Sequence, residues 1–378
     1  MREFEIGIIG AGINGVLISY FLLESGFKNI ALFEKRYPGS GGTFRCATGI
    51  RPSFTSREHV EAMKRSIELW DYLSKRFNFE YRRDGYLWIL NRERDVSIFE
   101  KIIDFQRSLG LQTRFISPEE IREIVPYMNT SSIIAGVYDP LAGKADNFKA
   151  LLNVLNYVVK NGVKLYTNTF VNKIIVENSR LKGIETSNGF FKVNTLIVAS
   201  GTGSRDLLKT INIDLPIENV PKHALITEAY KYCIKPLIID WSSSSYFVQV
   251  FHGGLLIGAE MEEKPGGRAV NKISYLYRAL NIWIKYFPWL AETHVLRYWT
   301  GYYDMTPDHH PIIGPVDEVD NLYLATGFSG HGFMMAPAVA ESIRDYVLYG
   351  KPKLEVMENM KLERFRKQRL IKEIIVFG

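Results

Sequence analysis

Two cysteines in 378 residues, Cys46 and Cys233, are too few for a disulfide framework or a cysteine-ligated zinc site. Long apolar runs are also missing. The most hydrophobic stretches, 21–28 and 196–200, are cut by polar residues or glycines well short of membrane-spanning length. Strand-like sequence begins by Phe4, which leaves no room for a signal peptide. No nucleic-acid recognition module is legible, although the net charge is +6 and the pI ≈ 9.0. These absences point to a cytoplasmic protein without a transmembrane segment or a nucleic-acid partner, and no metal ligand set stands out.

A 46% share of hydrophobic residues suffices for a packed core and for two domains. Much of the basic excess sits in Lys361-Leu-Glu-Arg-Phe-Arg-Lys-Gln-Arg-Leu-Ile-Lys372, which reads as a solvated terminal helix. The following Ile374-Ile-Val-Phe377 is apolar for a free end and suggests docking on the body or on a partner subunit.

Near the N-terminus, Gly10-Ala-Gly12-Ile-Asn-Gly15 stands between an apolar strand at 4–9 and a helical stretch at 16–25. A second strand at 29–33 closes with Glu34, 19 residues past Gly15. A lone GxGxxG is weak. In this setting, with an acid at that spacing, it predicts a βαβ dinucleotide fold whose glycines let a pyrophosphate approach and whose acid binds a ribose diol.

Residues 39–54 are too long and glycine-rich for a simple connection, and long ordered loops are usually functional. Helical periodicity covers 58–77, 95–109, 145–160 and 273–283, and Ser117-Pro-Glu-Glu opens another helix. Strand patterns fall at 84–90, 133–138, 164–166, 171–176 and 195–203. From 216 to 296 aromatic-rich alternating strands, such as 245–251 and 255–259, predict a mainly antiparallel sheet. The fold class is α/β, α+β overall. The dinucleotide domain is expected in three pieces, 1–80, 140–215 and 296–355, with a substrate domain at 81–139 and 216–295 and a basic tail at 356–378.

A second glycine turn, Gly327-Phe-Ser-Gly-His331-Gly-Phe-Met-Met-Ala336-Pro, follows an apolar strand at 321–326 and precedes helical periodicity at 338–348. A strand, a glycine turn and a helix start gather backbone N–H groups and a positive dipole end at one point. A reduced flavin, negative at N1 and O2, suits that point.

Taken in order, these pieces resemble the FAD-dependent amino-acid and amine oxidoreductases of the D-amino-acid oxidase superfamily. The match is nearest to β subunits of sarcosine oxidase and of dye-linked L-proline dehydrogenase. Trp299-Thr-Gly-Tyr-Tyr-Asp-Met-Thr306-Pro-Asp308-His-His-Pro-Ile-Ile-Gly314 and the 327–337 stretch look like that family's closing signature. The resemblance implies a glutathione-reductase-like FAD domain roofed by a mixed sheet. It assigns Gly10, Gly12 and Gly15 to the pyrophosphate, Glu34 with the adjoining Lys35 to the adenosine side, and Val171 to the adenine. Gly201 would lie on the pyrophosphate side. Thr43, Arg45, Cys46 and Thr48 would line the pyrophosphate and flavin, and Gly330, His331, Gly332, Phe333 and Met334 the isoalloxazine. Arg51 would hold a substrate carboxylate, Tyr303 with Tyr302 would either close the pocket or fill the core, and His331 would shape the flavin site rather than act as a base. His309 and His310 read as loop residues, and Asp308 as a turn cap.

Departures from the family also carry information. Gly301 stands where relatives tether FAD through a cysteine, so the cofactor is expected to be non-covalent. Leu256 and Met334 replace lysines that serve oxygen reactivity and carboxylate binding, and Ala145-Asp146 lies near a flavin-linking histidine of the heterotetrameric relatives. The expected activity is oxidation of the C–N bond of a small secondary or N-methyl amino acid, such as proline or sarcosine, with electrons passed to a partner subunit or other acceptor. Open alternatives are a hydroxy acid or glycerol phosphate substrate, a flavin-binding electron-transfer or scaffold subunit, and NAD as sole cofactor.

Overall fold

The computed structural model describes residues 2–375 of the chain. Its first strand, Arg2–Ile9, alternates at its start and is buried from Ile6 on. It pairs in parallel with Ile30–Phe33 on one side and Gly189–Val198 on the other. An eight-stranded mixed sheet grows from this centre. Lys164–Tyr166 extends it beyond Ile30–Phe33. Beyond the other edge, the long Gly189–Val198 strand divides its partners. Its start pairs antiparallel with Arg180–Thr186, and its end pairs in parallel with Leu322–Thr326. The near-continuous Val, Ile and Leu of these strands are what a sheet covered on both faces requires.

The first helix, Ile13–Glu24, is buried at ten of its twelve positions. A helix apolar all round has to be enclosed. It lies against two others, Asn147–Lys160 and Gly332–Tyr349. The Arg57–Phe77 helix is amphipathic by contrast. Its N-cap Ser56 accepts from the His59 N–H, and it ends on left-handed Asn78. The Ser117-Pro start forms a complete capping box with Glu120.

A second eight-stranded sheet runs Val295–Met305, Glu218–Ala229, Gly254–Ala259, Ser245–Gln249, Leu237–Asp240, Tyr86–Leu90, Ala135–Asp139, Arg114–Ile116. It is antiparallel except where Leu237–Asp240 meets Tyr86–Leu90. The Val295–Met305 strand, all but its first residue in the 296–355 piece, hydrogen-bonds along this second sheet. A small sheet of Gly49–Ile50, Gly143–Ala145 and Tyr81–Arg82 stands beside them. Among the described residues no helix is long and apolar enough to cross a membrane.

The last long helix begins at Gly332, six residues before the expected 338. Pro337 lies inside it, and a proline is the residue that makes a pattern-based reading start late. The solvated terminal helix expected at 361–372 is not what forms. Only Glu363–Arg366 is helical, and Arg364 is buried, its guanidinium paired to both Asp308 oxygens at 2.8 and 3.0 Å. One such pair, with further carbonyls on the same guanidinium, outweighs propagation of a short exposed helix. The alternative, docking on the body, describes Ile375, which is 1% exposed. Val376 and Phe377 of the apolar end lie outside the described residues.

Replacing Arg364 by alanine strands a buried carboxylate and is expected to cost about 3–5 kcal/mol. Urea unfolding followed by far-UV circular dichroism would show this as a lowered midpoint, and a shift below about 1 kcal/mol would mean the tail is not anchored there.

Candidate active site

The first glycine turn is dictated by close approach. Gly10 has φ +104°, and a Cβ on it would stand 2.4 Å from the Ala199 oxygen; one on Gly15 would stand 1.9 Å from the Gly10 oxygen. Glu34 clamps the turn from below. Its Oε2 accepts the Ala11 N–H at 3.0 Å and its Oε1 the Arg36 N–H at 2.9 Å. Thr43 Oγ1, from the long 39–54 loop, accepts the Ile13 N–H at 3.0 Å. Gly12, the N-cap, gives no side-chain cap to the first helix.

The second turn is equally constrained. Gly327, Ser329 and Gly330 have φ of +69°, +51° and +91°. Asp304 holds it: its Oδ2 accepts the Gly327 N–H at 2.8 Å and its carbonyl the Ser329 N–H at 3.0 Å. Burial pushes the Asp304 carboxyl up to about 6. His331 is the N-cap of Gly332–Tyr349, again without a side-chain cap. Asn14 joins the two turns. Its Nδ2 donates to the Gly332 carbonyl at 3.0 Å, across 318 residues of sequence. Two helix starts whose N-cap residues give no side-chain cap therefore lie together, and beyond the Ile13 N–H that Thr43 takes they keep orphan N–H donors. Asn14 Oδ1 and His331 Nδ1 are buried without a partner among the described residues. Such a cradle suits an elongated anionic ligand with polar edges, and FAD fits it.

The expected cofactor residues surround this junction unevenly. The 167–171 segment bonds backbone to backbone with Glu34 and Arg36, which brings Val171 close to Glu34, and Lys35 is exposed beside it. Gly201 has φ +53° and open space around it. Arg45 donates to the Ser40 and Gly41 carbonyls, and a Cβ on Gly301 would meet its side chain at 3.2 Å. The Cys46 thiol bonds the Thr43 carbonyl and is pushed up to about 11 by burial. Thr48 has φ 62°, costly for a β-branched residue and typical of a site that over-determines its backbone. Phe333 turns its ring into the core against Trp70 at 4.9 Å, so only its backbone serves the turn. The Met334 carbonyl is taken by Ser66 and Trp70. Tyr303 crosses Gly330, where an added Cβ would lie 2.4 Å from its ring. Leu256 is buried in the second sheet.

Arg51 is 3% exposed. Its guanidinium lies 3.8 Å over the Phe54 ring and 5.2 Å over Trp88. Nη1 donates to the Ser53 carbonyl at 2.5 Å and Nη2 to the Ile375 carbonyl at 2.9 Å. No carboxylate forms an ion pair with it among the described residues, and burial lowers it to about 10, so it stays protonated. Phe54 connects it edge-on to His331 at 4.8 Å.

Below Arg51 is a polar hub that sequence reasoning missed. Glu373 accepts from the Thr55 and Ser56 N–H groups, from both their hydroxyls, and stands 3.4 Å from His59 Nδ1. Ser56 Oγ also meets His310 Nε2 at 2.8 Å. His59, His310 and Glu373 bring their ligand atoms within 4.8 Å of one another. The His59 and His310 rings nevertheless stack at 4.0 Å and 29°, so their lone pairs run in separate planes and do not converge on one ion. The Ser56 hydroxyl already bridges all three groups. This is a hydrogen-bonded latch. No spacing in the sequence linked residue 373 to 56–59; the apolar tail end was the only hint.

A flavin-suited cradle between a dinucleotide-type sheet and an antiparallel roof defines a flavin-dependent oxidoreductase. The chain belongs to the FAD dependent oxidoreductase family DAO, which it matches over residues 5–346. It is similar to the sarcosine oxidase subunit beta of Arthrobacter sp, 24% identical over 98% of this chain and 93% of that one. It is also similar to the crystal structure of L-proline dehydrogenase from P. horikoshii, 37% identical with a TM-score of 0.93, covering 98% of this chain and 99% of that one. Glycine oxidase from Bacillus cereus shares the fold at 23% identity and a TM-score of 0.85, covering 94% of this chain and 97% of that one. The protein is an enzyme, and its cofactor is FAD.

Burial lowers His59 below the usual histidine range and His310 to about 3, and the bonds from His59 and Thr55 hold Glu373 far below the usual carboxylate range. Arg51, Asp308 and His331 face the same hub. Histidines kept neutral on folding cost stability once the unfolded chain begins to protonate, so stability falls as pH drops below about 6.5. The Glu373 contribution is lost in turn at still lower pH, below the ordinary carboxylate range. Thermal midpoints taken from pH 7.5 to 4 should decline steadily below 6.5; a flat profile would contradict the neutral-histidine latch.

Proposed function

We propose that FAD lies non-covalently across the two helix starts and that the chain oxidises the C–N bond of a small secondary or N-methyl amino acid, such as proline or sarcosine. Gly10, Gly12 and Gly15 would take the pyrophosphate, Glu34 the ribose, and Val171 the adenine. Gly330 and Gly332 would present N–H donors to the negative edge of the flavin, with His331, whose own N–H is taken by the Phe328 carbonyl at 2.9 Å, shaping the turn. Arg51 carries the substrate reading. A buried guanidinium with no anionic partner among the described residues, one aromatic ring from the flavin-facing turn, is prepared for a carboxylate held by two parallel bonds. The similar proteins named above as sarcosine oxidase and L-proline dehydrogenase support that class.

Bound FAD would supply the two-electron acceptor for the hydride that leaves carbon. The chain's own part is orientation: Arg51 fixes the carboxylate plane, and Tyr303 and the second sheet exclude water over the reacting carbon. His331 and the phenols near Arg51 are unsuited to take a proton from an ammonium, and Asp139, raised by burial, is the one carboxyl besides Glu373 that acts on Arg51. His331 is held well below its ordinary value by burial, and burial keeps the Tyr86 and Tyr303 phenols protonated. On this reading the amine arrives neutral and needs no enzyme base, and the imine product hydrolyses afterwards. Leu256, in place of an oxygen-side lysine, favours transfer to a partner subunit or another acceptor. Kinship with chains named as β subunits supports such an assembly, and the free cysteines support a cytoplasmic setting.

Anaerobic addition of proline or sarcosine is expected to bleach the flavin absorbance; if no amine or amino acid does so, the assignment fails. Replacing Arg51 by methionine should weaken carboxylate substrates by about 2–5 kcal/mol, roughly 30-fold or more in Kd, and leave a phosphate or alcohol substrate held elsewhere unaffected. For two substrates of different amine pKa, the rising limb of kcat/KM against pH should move with the substrate. A limb fixed for both would reveal an enzyme base.

A further inference from the structure

The latch has a consequence for Arg51 that rests on the carboxylate reading above. The two carbonyls on its guanidinium, Ser53 and Ile375, occupy Nη1 and Nη2, the donors a carboxylate fork would take. Ser53 is a near neighbour in sequence, whereas Ile375 comes from the far end of the chain. With Ile375 in place, Arg51 is 3% exposed and sealed from solvent. We propose that residues 371–375 form a displaceable strap whose Ile375 carbonyl holds the carboxylate position on Arg51, so that substrate must compete with the chain's own tail, and that Glu373 is the positioning residue that sets the strength of this competition.

Three features make the strap the part that moves. Residues 369–375 have no regular secondary structure, so lifting them breaks no helix or sheet ladder. The buried Arg364–Asp308 pair, with Ile371 N–H also reaching Asp308, fixes a pivot just upstream. Beyond the pivot the described part of the strap is held through Glu373, through the Ile374 N–H on Thr55 Oγ1 and through Ile375. Glu373 sits among Thr55, Ser56 and His59, and Ile375 is inserted beside Tyr86, Trp88 and Phe99 while Ile374 between them is 57% exposed. A neutral carbonyl is a weaker partner for a guanidinium than a carboxylate, so an arriving carboxylate wins that edge and frees Ile375. An amine without a carboxylate has no such advantage. The strap thus raises the threshold for ligands that cannot offer an anion.

Hydrogen exchange read by mass spectrometry on the holoprotein tests this directly. The amides of Ile371, Ile374 and Ile375 are bonded to Asp308, Thr55 and Glu373, and should be protected in the resting protein. Saturating L-proline or acetate should speed exchange of the peptide carrying them at least fivefold, whereas pyrrolidine, the same ring without a carboxylate, should not. Unchanged or slower exchange with both carboxylates would overturn the strap. As a second arm, Glu373→Gln and a chain ending at Lys372 should lower KM for the amino acid at least fivefold while kcat moves less than twofold. A raised or constant KM in a folded variant would show Glu373 to be structural only. If proline bleaches the flavin but no carboxylate moves the tail, the strap falls and the catalytic reading stands. If acetate frees the tail but no amine reduces the flavin, the reverse holds.

Discussion

Helix N-termini carry unbonded N–H groups, and a protein that buries two of them together with little side-chain capping has to satisfy the rest with something else. In this chain the two starts are Gly12 and His331, joined through Asn14 and the Gly332 carbonyl. Much of the surrounding structure serves that junction. Glu34 and Thr43 hold the first turn, Asp304 and Ser329 the second, and the central sheet delivers both strands in parallel so that their following turns fall on one edge. An elongated anion with a flat, hydrogen-bonding end meets the demand, and FAD is such a molecule.

The substrate side is built differently. Arg51 is faced by aromatic rings and carbonyls, with Glu373 and Asp139 acting on it only at longer range and no ion pair to it among the described residues, which leaves its charge for a ligand at the cost of a buried cation. The tail offsets part of that cost by placing the Ile375 carbonyl on it, and Glu373 secures the tail at the start of the Arg57–Phe77 helix, where a negative charge is favoured. One end of the chain therefore completes the environment of a residue near the other.

The parts of this legible in sequence share a property: they are local. GxGxxG between strand and helix, an acid 19 residues on, the Ser117-Pro helix start and the Ile273–Trp283 helix all follow from spacing within a few turns. What escaped is non-local. Nothing near residue 373 announces that it will meet Ser56 and His59, and basic residues at 361–372 read as solvated because Arg364 gives no sign of Asp308. The Asn14 bridge lay inside a recognised motif, yet its partner is 318 residues away. Pro337 hid the first turn of the last long helix for a local reason, since a proline at that position argues against a helix running through it.

If both glycine turns grip one molecule, ligands for either half must compete with it. The direct test is a competition titration on flavin-free protein, with FAD binding followed by fluorescence quenching. ADP, which suits the Gly10–Gly15 turn, and FMN, which suits the Gly330–Gly332 turn, should each displace FAD completely at a stoichiometry of one FAD per chain. If FAD stays bound while either half-ligand saturates its own site, the two turns serve different ligands.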